Sequence, residues 1–286
     1  MRQGGDVSSK HIFCFGMGFS ARTLANRLSE QGWIVSGTSR DGGGGTMTFD
    51  SSRPLPDPVC TLSSTTHILL SIPPDEAGDP VFDHHGGDLG RLSKLKWLGY
   101  LSTTGVYGDR DGGWVDEATP VAPAHRRGER RVLAERNWLD WAKENNLPMH
   151  IFRLAGIYGP GRNALENVRR GTARRIVKPG HVFSRIHVDD IATVIEASIN
   201  QPNPGAIYNV CDDEAAPPQD VVAFAAELLD VEPPQEIPIE EAELSPTAAS
   251  FYLDNKRVRN DRIKRELAVR LRYPDYRAGL RALLKG

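Results

Sequence analysis

The sequence predicts an α/β fold, a doubly wound parallel sheet followed by a smaller C-terminal lobe. Short apolar runs alternate with amphipathic stretches through the first half of the chain. A glycine turn separates the first run from the first amphipathic stretch, and after Gly156 the texture changes to tight turns, arginines and prolines. Bare apolar runs of this kind fit strands covered on both faces, as in a parallel sheet with helical crossovers.

Taken in order, residues 11–15 read as a strand, 20–31 as a helix and 33–38 as a second strand. Residues 46–49, 67–72, 97–102 and 149–154 continue the strand series. Within 126–145, Val132, Leu133, Trp138, Leu139 and Trp141 recur at helical spacing, which predicts a long helix before the last of these strands. Residues 42–45 are four consecutive glycines where a crossover helix often stands, and predict a flexible loop. Beyond the Gly159-Pro-Gly161 turn, His187-Val-Asp-Asp190 opens an apolar helix, with Asp189 or Asp190 as its cap. A strand at 206–210 and helices at 217–229, 255–267 and 273–284 complete the chain. The expected division is 1–161 with 186–212 as the sheet domain, and 162–185 with 213–286 as the smaller lobe.

Composition narrows the function. The 286 residues carry a formal net charge of -2, with 39% hydrophobic and 25% charged residues, as in an ordinary soluble domain. This balance gives no global reason to expect binding to nucleic acid or an anionic membrane, so small molecules are the expected partners. No run of ~18 apolar residues suits a membrane span, and the polar first ten residues do not read as a secretion signal, so the cytoplasm is the expected compartment. Cys14, Cys60 and Cys211 are too few and too widely spaced for a disulfide framework or a paired-cysteine metal site, and read as small buried hydrophobes. His84 and His85 are adjacent and diverge, so no metal site is predicted.

The chemistry-bearing motif follows the first strand. Gly16-Met-Gly18-Phe19-Ser20-Ala21 is a G-x-G-x-x-A turn opening a helix, the Rossmann arrangement for a dinucleotide pyrophosphate. Gly16 permits the tight turn, Gly18 lets backbone approach the phosphates, and Ala21 allows close helix packing. Free N–H groups at the helix start and the helix dipole both favour the anion. After the second strand, where a site selective for NAD places a carboxylate on the ribose 2′-hydroxyl, the sequence has Ser39-Arg40-Asp41. Arg40 can pair with a 2′-phosphate through its planar fork and Ser39 can add a donor, which predicts NADP(H). With Arg40 merely solvated, Asp41 would serve NAD instead.

With these elements in place, the chain resembles the extended short-chain dehydrogenase/reductases, the NAD-dependent epimerase/dehydratase family, and more closely their atypical members. The resemblance runs through the Gly16–Ala21 turn, Leu101-Ser-Thr-Thr-Gly-Val-Tyr-Gly108, Arg153-Leu-Ala-Gly-Ile-Tyr-Gly-Pro-Gly161, Arg185-Ile-His-Val-Asp-Asp-Ile-Ala192 and Tyr208-Asn-Val210. It implies that Asp50 contacts adenine, that Ser71, Ile72 and Pro73 border the cofactor riboses, and that Thr103 hydrogen-bonds the substrate oxygen as hydride passes at the nicotinamide C4. Tyr107 and Tyr158 would line the cleft. Arg162, Arg175 and His187 would lie on the substrate side, and a homodimer is implied.

One departure matters. Where the family keeps Tyr-x-x-x-Lys, this sequence has Arg127-Gly-Glu-Arg-Arg131, with Glu135 at the family's acidic position. A tyrosine beside a lysine serves as acid or base, whereas a guanidinium stays protonated and offers only donors. It can stabilise negative charge but is a poor proton donor. His125, Tyr107 and Glu129 are the other groups that could supply a proton. Two arginine clusters, 126–131 and 169–175, read either as solvated faces or, for the second with Arg162 and Lys178, as a grip on phosphate or carboxylate. The expected activity is that of an oxidoreductase, epimerase or dehydratase acting on a small anionic or nucleotide-sugar-like hydroxyl or carbonyl compound. The alternative is a non-catalytic NADP(H)-binding sensor.

Overall fold

The computed structural model describes residues 10–244 and 246–285. In chain order the first elements are β1 (His11–Phe15), α1 (Phe19–Glu30), β2 (Ile34–Ser39), β3 (Met47–Thr48), α2 (Pro58–Leu62), β4 (His67–Leu70) and α3 (Pro80–Leu89). There follow β5 (Trp97–Thr103), β6 (Trp114–Val115), α4 (Arg126–Glu144), β7 (Met149–Leu154), β8 (Gly156–Tyr158), α5 (Ala164–Arg169), β9 (Arg175–Val177), β10 (Arg185–His187) and α6 (Val188–Asn200). The chain ends with β11 (Ile207–Val210), α7 (Pro218–Leu228), β12 (Glu236–Pro238), α8 (Pro246–Leu253), β13 (Arg257–Val258), α9 (Asp261–Glu266) and α10 (Tyr276–Lys285).

Seven strands form one parallel sheet in the order β11-β7-β5-β4-β1-β2-β3. The order reverses beside β1, which pairs with β2 on one side and β4 on the other. That reversal is the switch point at which open α/β sheets bind ligands beyond their strand ends. All five residues of β1 and all four of β4 are buried, which is why these runs are apolar without alternation.

Two compact units divide the described residues. The first comprises residues up to Leu101 with Ala134–Ile151 and Pro202–Ala206. In its core Phe13, Phe15 and Phe49 meet edge-on, and His85 joins them, its Nε2 accepting from Leu55 N–H at 3.1 Å. Asp79 caps α3 by accepting from Val81 N–H and Phe82 N–H, at 3.0 and 3.1 Å, and its second oxygen accepts from the buried Trp138 indole at 3.1 Å. The second unit comprises Ser102–Leu133, Phe152–Gln201 and the residues from Ile207 onward. It holds three short parallel pairs, β8 with β10, β9 with β12 and β6 with β13. Leu165, Val221, Phe224, Tyr276 and Leu280, from α5, α7 and α10, form an apolar cluster there.

Several elements differ from the expectation. The 42–45 glycines form a loop rather than a helix, as expected, but one organised as a turn with Gly42, Gly44 and Gly45 at φ 69°, 65° and 77° and closed by Thr46 Oγ1 on Gly43 O at 2.7 Å. Residue 187, not 189 or 190, caps α6, with the His187 imidazole accepting from Asp189 N–H at 3.2 Å. Asp190 instead accepts from Arg272 N–H and Tyr273 N–H, at 2.8 and 3.0 Å. The expected 255–267 helix shrinks to α9 because Arg257 and Val258 pair as β13. Cys14 and Cys211 are buried as expected, but Cys60 is exposed, because α2 is a single short helix at the surface. No helix among the described residues is long and apolar enough to cross a membrane.

Candidate functional site

In the first unit, β1 runs straight into the turn. Gly16 adopts φ 89°, and a β-carbon there would sit 2.7 Å from Ile72 Cγ1. The turn is braced from β2: Thr38 Oγ1 accepts from Gly16 N–H at 3.0 Å, and Thr38 O accepts from Met17 N–H at 2.6 Å. Gly37 lets β2 come this close, since a β-carbon there would lie 2.4 Å from Cys14 O. Gly18 is the N-cap of α1, contributes no side-chain cap, and no acidic residue stands in the first turn. A β-carbon at Gly18 would meet nothing within 4 Å, so the space in front of the helix start is open. Phe19 is half-buried, while Ser20 and Ala21 are buried against the sheet. Ser71 N–H donates to Phe15 O at 2.9 Å, which sets Ser71, Ile72 and Pro73 beside the turn at the switch point. These features fit a pyrophosphate with its flanking riboses.

At the far end of β2 the arrangement is different from the one the sequence suggests. The Ser39 hydroxyl donates to Asp41 Oδ1 at 2.7 Å and accepts from Gly42 N–H at 3.0 Å, so it is spent on the glycine turn. Asp41 is held in the same turn, and the Ser39 hydrogen bond, with Gly43 N–H, keeps its carboxyl below the usual range. Asp50 pairs with Arg53 and accepts from Ser52, which depresses its carboxyl further. Arg53 also donates to Arg40 O at 2.8 Å, while the Arg40 side chain is exposed. Arg22, which the sequence reading passed over, donates from Nε to Met17 O at 2.8 Å and ties α1 to the turn. Its charge also acts on Asp41. An arginine one residue beyond a G-x-G-x-x-A motif is the signal that could have found it.

The second unit holds the remaining candidates. Thr103 Oγ1 accepts from Gly105 N–H at 3.1 Å, leaving the hydroxyl hydrogen to donate. Tyr107 is buried: its hydroxyl donates to Asn209 Oδ1 at 2.8 Å and accepts from Arg153 Nη1 at 2.9 Å, and burial holds the phenol above its usual range. Asn209 N–H in turn donates to Glu117 Oε1 at 2.8 Å. We expect Tyr107→Phe to lower the unfolding free energy by about 1–3 kcal/mol, because two buried partners lose their hydrogen bond. Urea melts would register that loss, with nicotinamide-nucleotide affinity unchanged.

Arg127 is exposed on α4, and Arg131, four residues on, is half-buried. Between them Gly128 packs closely, and a β-carbon there would lie 2.7 Å from Pro123 Cβ and 3.2 Å from Gly105 O. The start of α4 thus sits against the loop after Thr103.

Of the substrate-side residues, Tyr158 and His187 come together in edge-on contact with ring centroids 5.1 Å apart. His187 is buried, and desolvation lowers its pKa to about 4. Tyr158 and Arg162 share the wall of a cavity of about 310 Å³ with Arg185, Val221 and Tyr276. Arg185, unassigned by the sequence reading, donates to Phe183 O and Ala216 O at 2.7 and 3.0 Å. Beside it Asp212 is buried, and desolvation pushes that carboxyl well above its usual range. Arg175 lies elsewhere, paired with Glu236 at 3.0 Å. Arg169 and Arg170 both face Glu166, at 2.8 and 3.7 Å. Within the second arginine run, Arg169 and Arg170 thus share one carboxylate and Arg175 has its own, while Arg174 donates to the Glu243 carbonyl.

Fold and turn together define a doubly wound α/β protein of the dinucleotide-binding type. The model of the NAD dependent epimerase/dehydratase family matches residues 89–211. Protein YeeZ of Escherichia coli (strain K12) is 32% identical over 248 residues, covering 79% of this chain and 86% of that protein. The chain belongs to the NAD-dependent epimerase/dehydratase family. A solved structure of a functionally unknown conserved protein from Silicibacter pomeroyi DSS is 50% identical, covers 97% of this chain and 99% of its own, and superposes with a TM-score of 0.87. The fold is also that of dTDP-glucose 4,6-dehydratase from Bacillus anthracis in complex with NAD, at 18% identity, coverage of 97% and 96%, and a TM-score of 0.76.

Proposed function

We propose that this protein binds NADP(H) and acts on a small anionic compound bearing a hydroxyl or carbonyl group. The observation that carries the reading is the Gly16 turn, whose tight packing on Ile72 and open space before Gly18 suit a pyrophosphate. Gly16, Gly18, Phe19, Ser20 and Ala21 hold the phosphates, and Ser71, Ile72 and Pro73 flank the riboses. A nicotinamide held in this way would supply or accept hydride at C4. Thr103 donates its hydroxyl hydrogen to the reacting oxygen of the substrate. The cavity beside Tyr158, with Arg162 and Arg185 on its wall, takes the anionic part of that substrate.

The preference for the 2′-phosphate rests on Arg40, exposed at the end of β2, with Arg53 drawn to its backbone and Asp41 engaged in its own turn. Arg40→Ala should cost about 1.5–3 kcal/mol of NADP(H) binding, roughly tenfold to a hundredfold, and leave NAD(H) binding unaltered. Fluorescence titration of NADPH and NADH against both proteins measures this, and equal losses for the two nucleotides refute the assignment.

A second reading, a non-catalytic NADP(H)-binding sensor, draws support from Arg127, exposed where the family's tyrosine would stand. The test is turnover of NADPH with a panel of aldehydes, ketones and keto acids, repeated with Thr103→Val. Measurable turnover that falls sharply in the variant supports an enzyme. Tight binding with no hydride transfer to any compound supports the sensor.

A further inference from the structure

The loss of the Tyr-x-x-x-Lys pair leaves open what joins Thr103 at the substrate oxygen. The geometry around Gly105 provides a ruler. A β-carbon on that glycine would lie 3.4 Å from Thr103 Oγ1 and 3.9 Å from His125 Cε1, so the imidazole edge and the threonine hydroxyl flank one small space. Both residues are half-buried and reachable from solvent.

The hydrogen bonds also orient the ring. His125 stands immediately before α4, and its carbonyl accepts from Gly128 N–H at 2.9 Å and Glu129 N–H at 3.1 Å, as a helix cap. Its Nδ1 accepts from the same Gly128 N–H at 3.4 Å. An accepting Nδ1 places the ring hydrogen on Nε2, the nitrogen on the other side of Cε1. Thr103 is constrained in the same sense, because its oxygen accepts from Gly105 N–H and its hydrogen is left to donate.

We propose that His125 donates a hydrogen bond from Nε2 to the substrate oxygen, and with Thr103 forms a two-donor site that replaces the family's tyrosine. This rests on the enzymatic reading given above. In the reducing direction a bound dihydronicotinamide would supply hydride to the carbonyl carbon, and the C=O π pair would move onto oxygen. The alkoxide would lie between the two donors and take a proton from water, leaving the alcohol, hydroxide and the oxidised nucleotide. His125 keeps its own proton throughout and acts by stabilising charge, as preorganised donors do.

Two substitutions separate this role from helix capping. Asparagine is a good cap and reproduces the accepting position of Nδ1, but does not reach as far as Nε2. Glutamine caps poorly and places an amide N–H near the Nε2 position. Using the full-length chain with NADPH and the best carbonyl compound from the panel, His125→Asn should lower kcat by ~100-fold with its melting temperature preserved. His125→Gln should recover most of that loss. Turnover in the wild type with His125→Asn equally active overturns the proposal alone, as does a loss in kcat that glutamine does not restore. A wild type that moves no hydride to any compound overturns the enzymatic reading, and this inference with it.

Discussion

Gly18→Val should weaken nicotinamide-nucleotide binding roughly a hundredfold or more by fluorescence titration, while lowering the stability of the protein by only about 1 kcal/mol. The reason is the open space at this position. A β-carbon on Gly18 touches no protein atom within 4 Å, and its φ of -84° suits any residue. The branched side chain would therefore fold without strain and stand where backbone must approach the phosphates. Valine is a poorer N-cap than glycine, so the cap alone accounts for a loss of about 1 kcal/mol. Retained affinity with an intact fold would remove the pyrophosphate from this turn.

Gly37→Ala is expected to act in the opposite way, through the fold. Its β-carbon would press on Cys14 O at 2.4 Å and on Met17 Cε at 2.9 Å. The first of these is backbone in the middle of the sheet and cannot swing aside. Overpacking of this kind costs about 1–3 kcal/mol. Because the displaced strand carries Thr38, the brace under Gly16 N–H moves too, so nucleotide affinity should fall along with stability. Urea denaturation with parallel titration would show both losses, and a variant as stable as the wild type would mean that β1 and β2 can separate freely.

The strands at 11–15 and 149–154 and the helix from Arg126 were legible because each is a local pattern: a continuous apolar run buried on both faces, or apolar residues at helical period. Helix α3 was not, since Gly86 and Gly87 lie inside it and weaken its propensity. Asp79-Pro80, a capping side chain followed by proline at the first helical position, was the signal that marked its start. The Gly16–Ala21 turn was readable as a turn for the same reason as the strands, its conformation being set by adjacent residues. The candidate side chains were harder because their partners are distant in sequence. Tyr107 is claimed by Asn209 and Arg153, Arg175 by Glu236, and His125 is brought to Thr103 only by the way α4 begins. Asp50 is a local exception: its ion-pair partner, Arg53, is only three residues away.

Cys60 at the surface of α2 has a practical consequence. Cys14 and Cys211 are buried, and desolvation raises their thiols, Cys14 to about 12, with nearby carboxylates adding to the effect at Cys211, which keeps both in the unreactive form. A maleimide dye should therefore attach at one defined point per molecule, giving a uniform conjugate without engineering. In air, the same sulfhydryl can link two chains covalently, so storage under a reductant keeps that artefact apart from any genuine self-association.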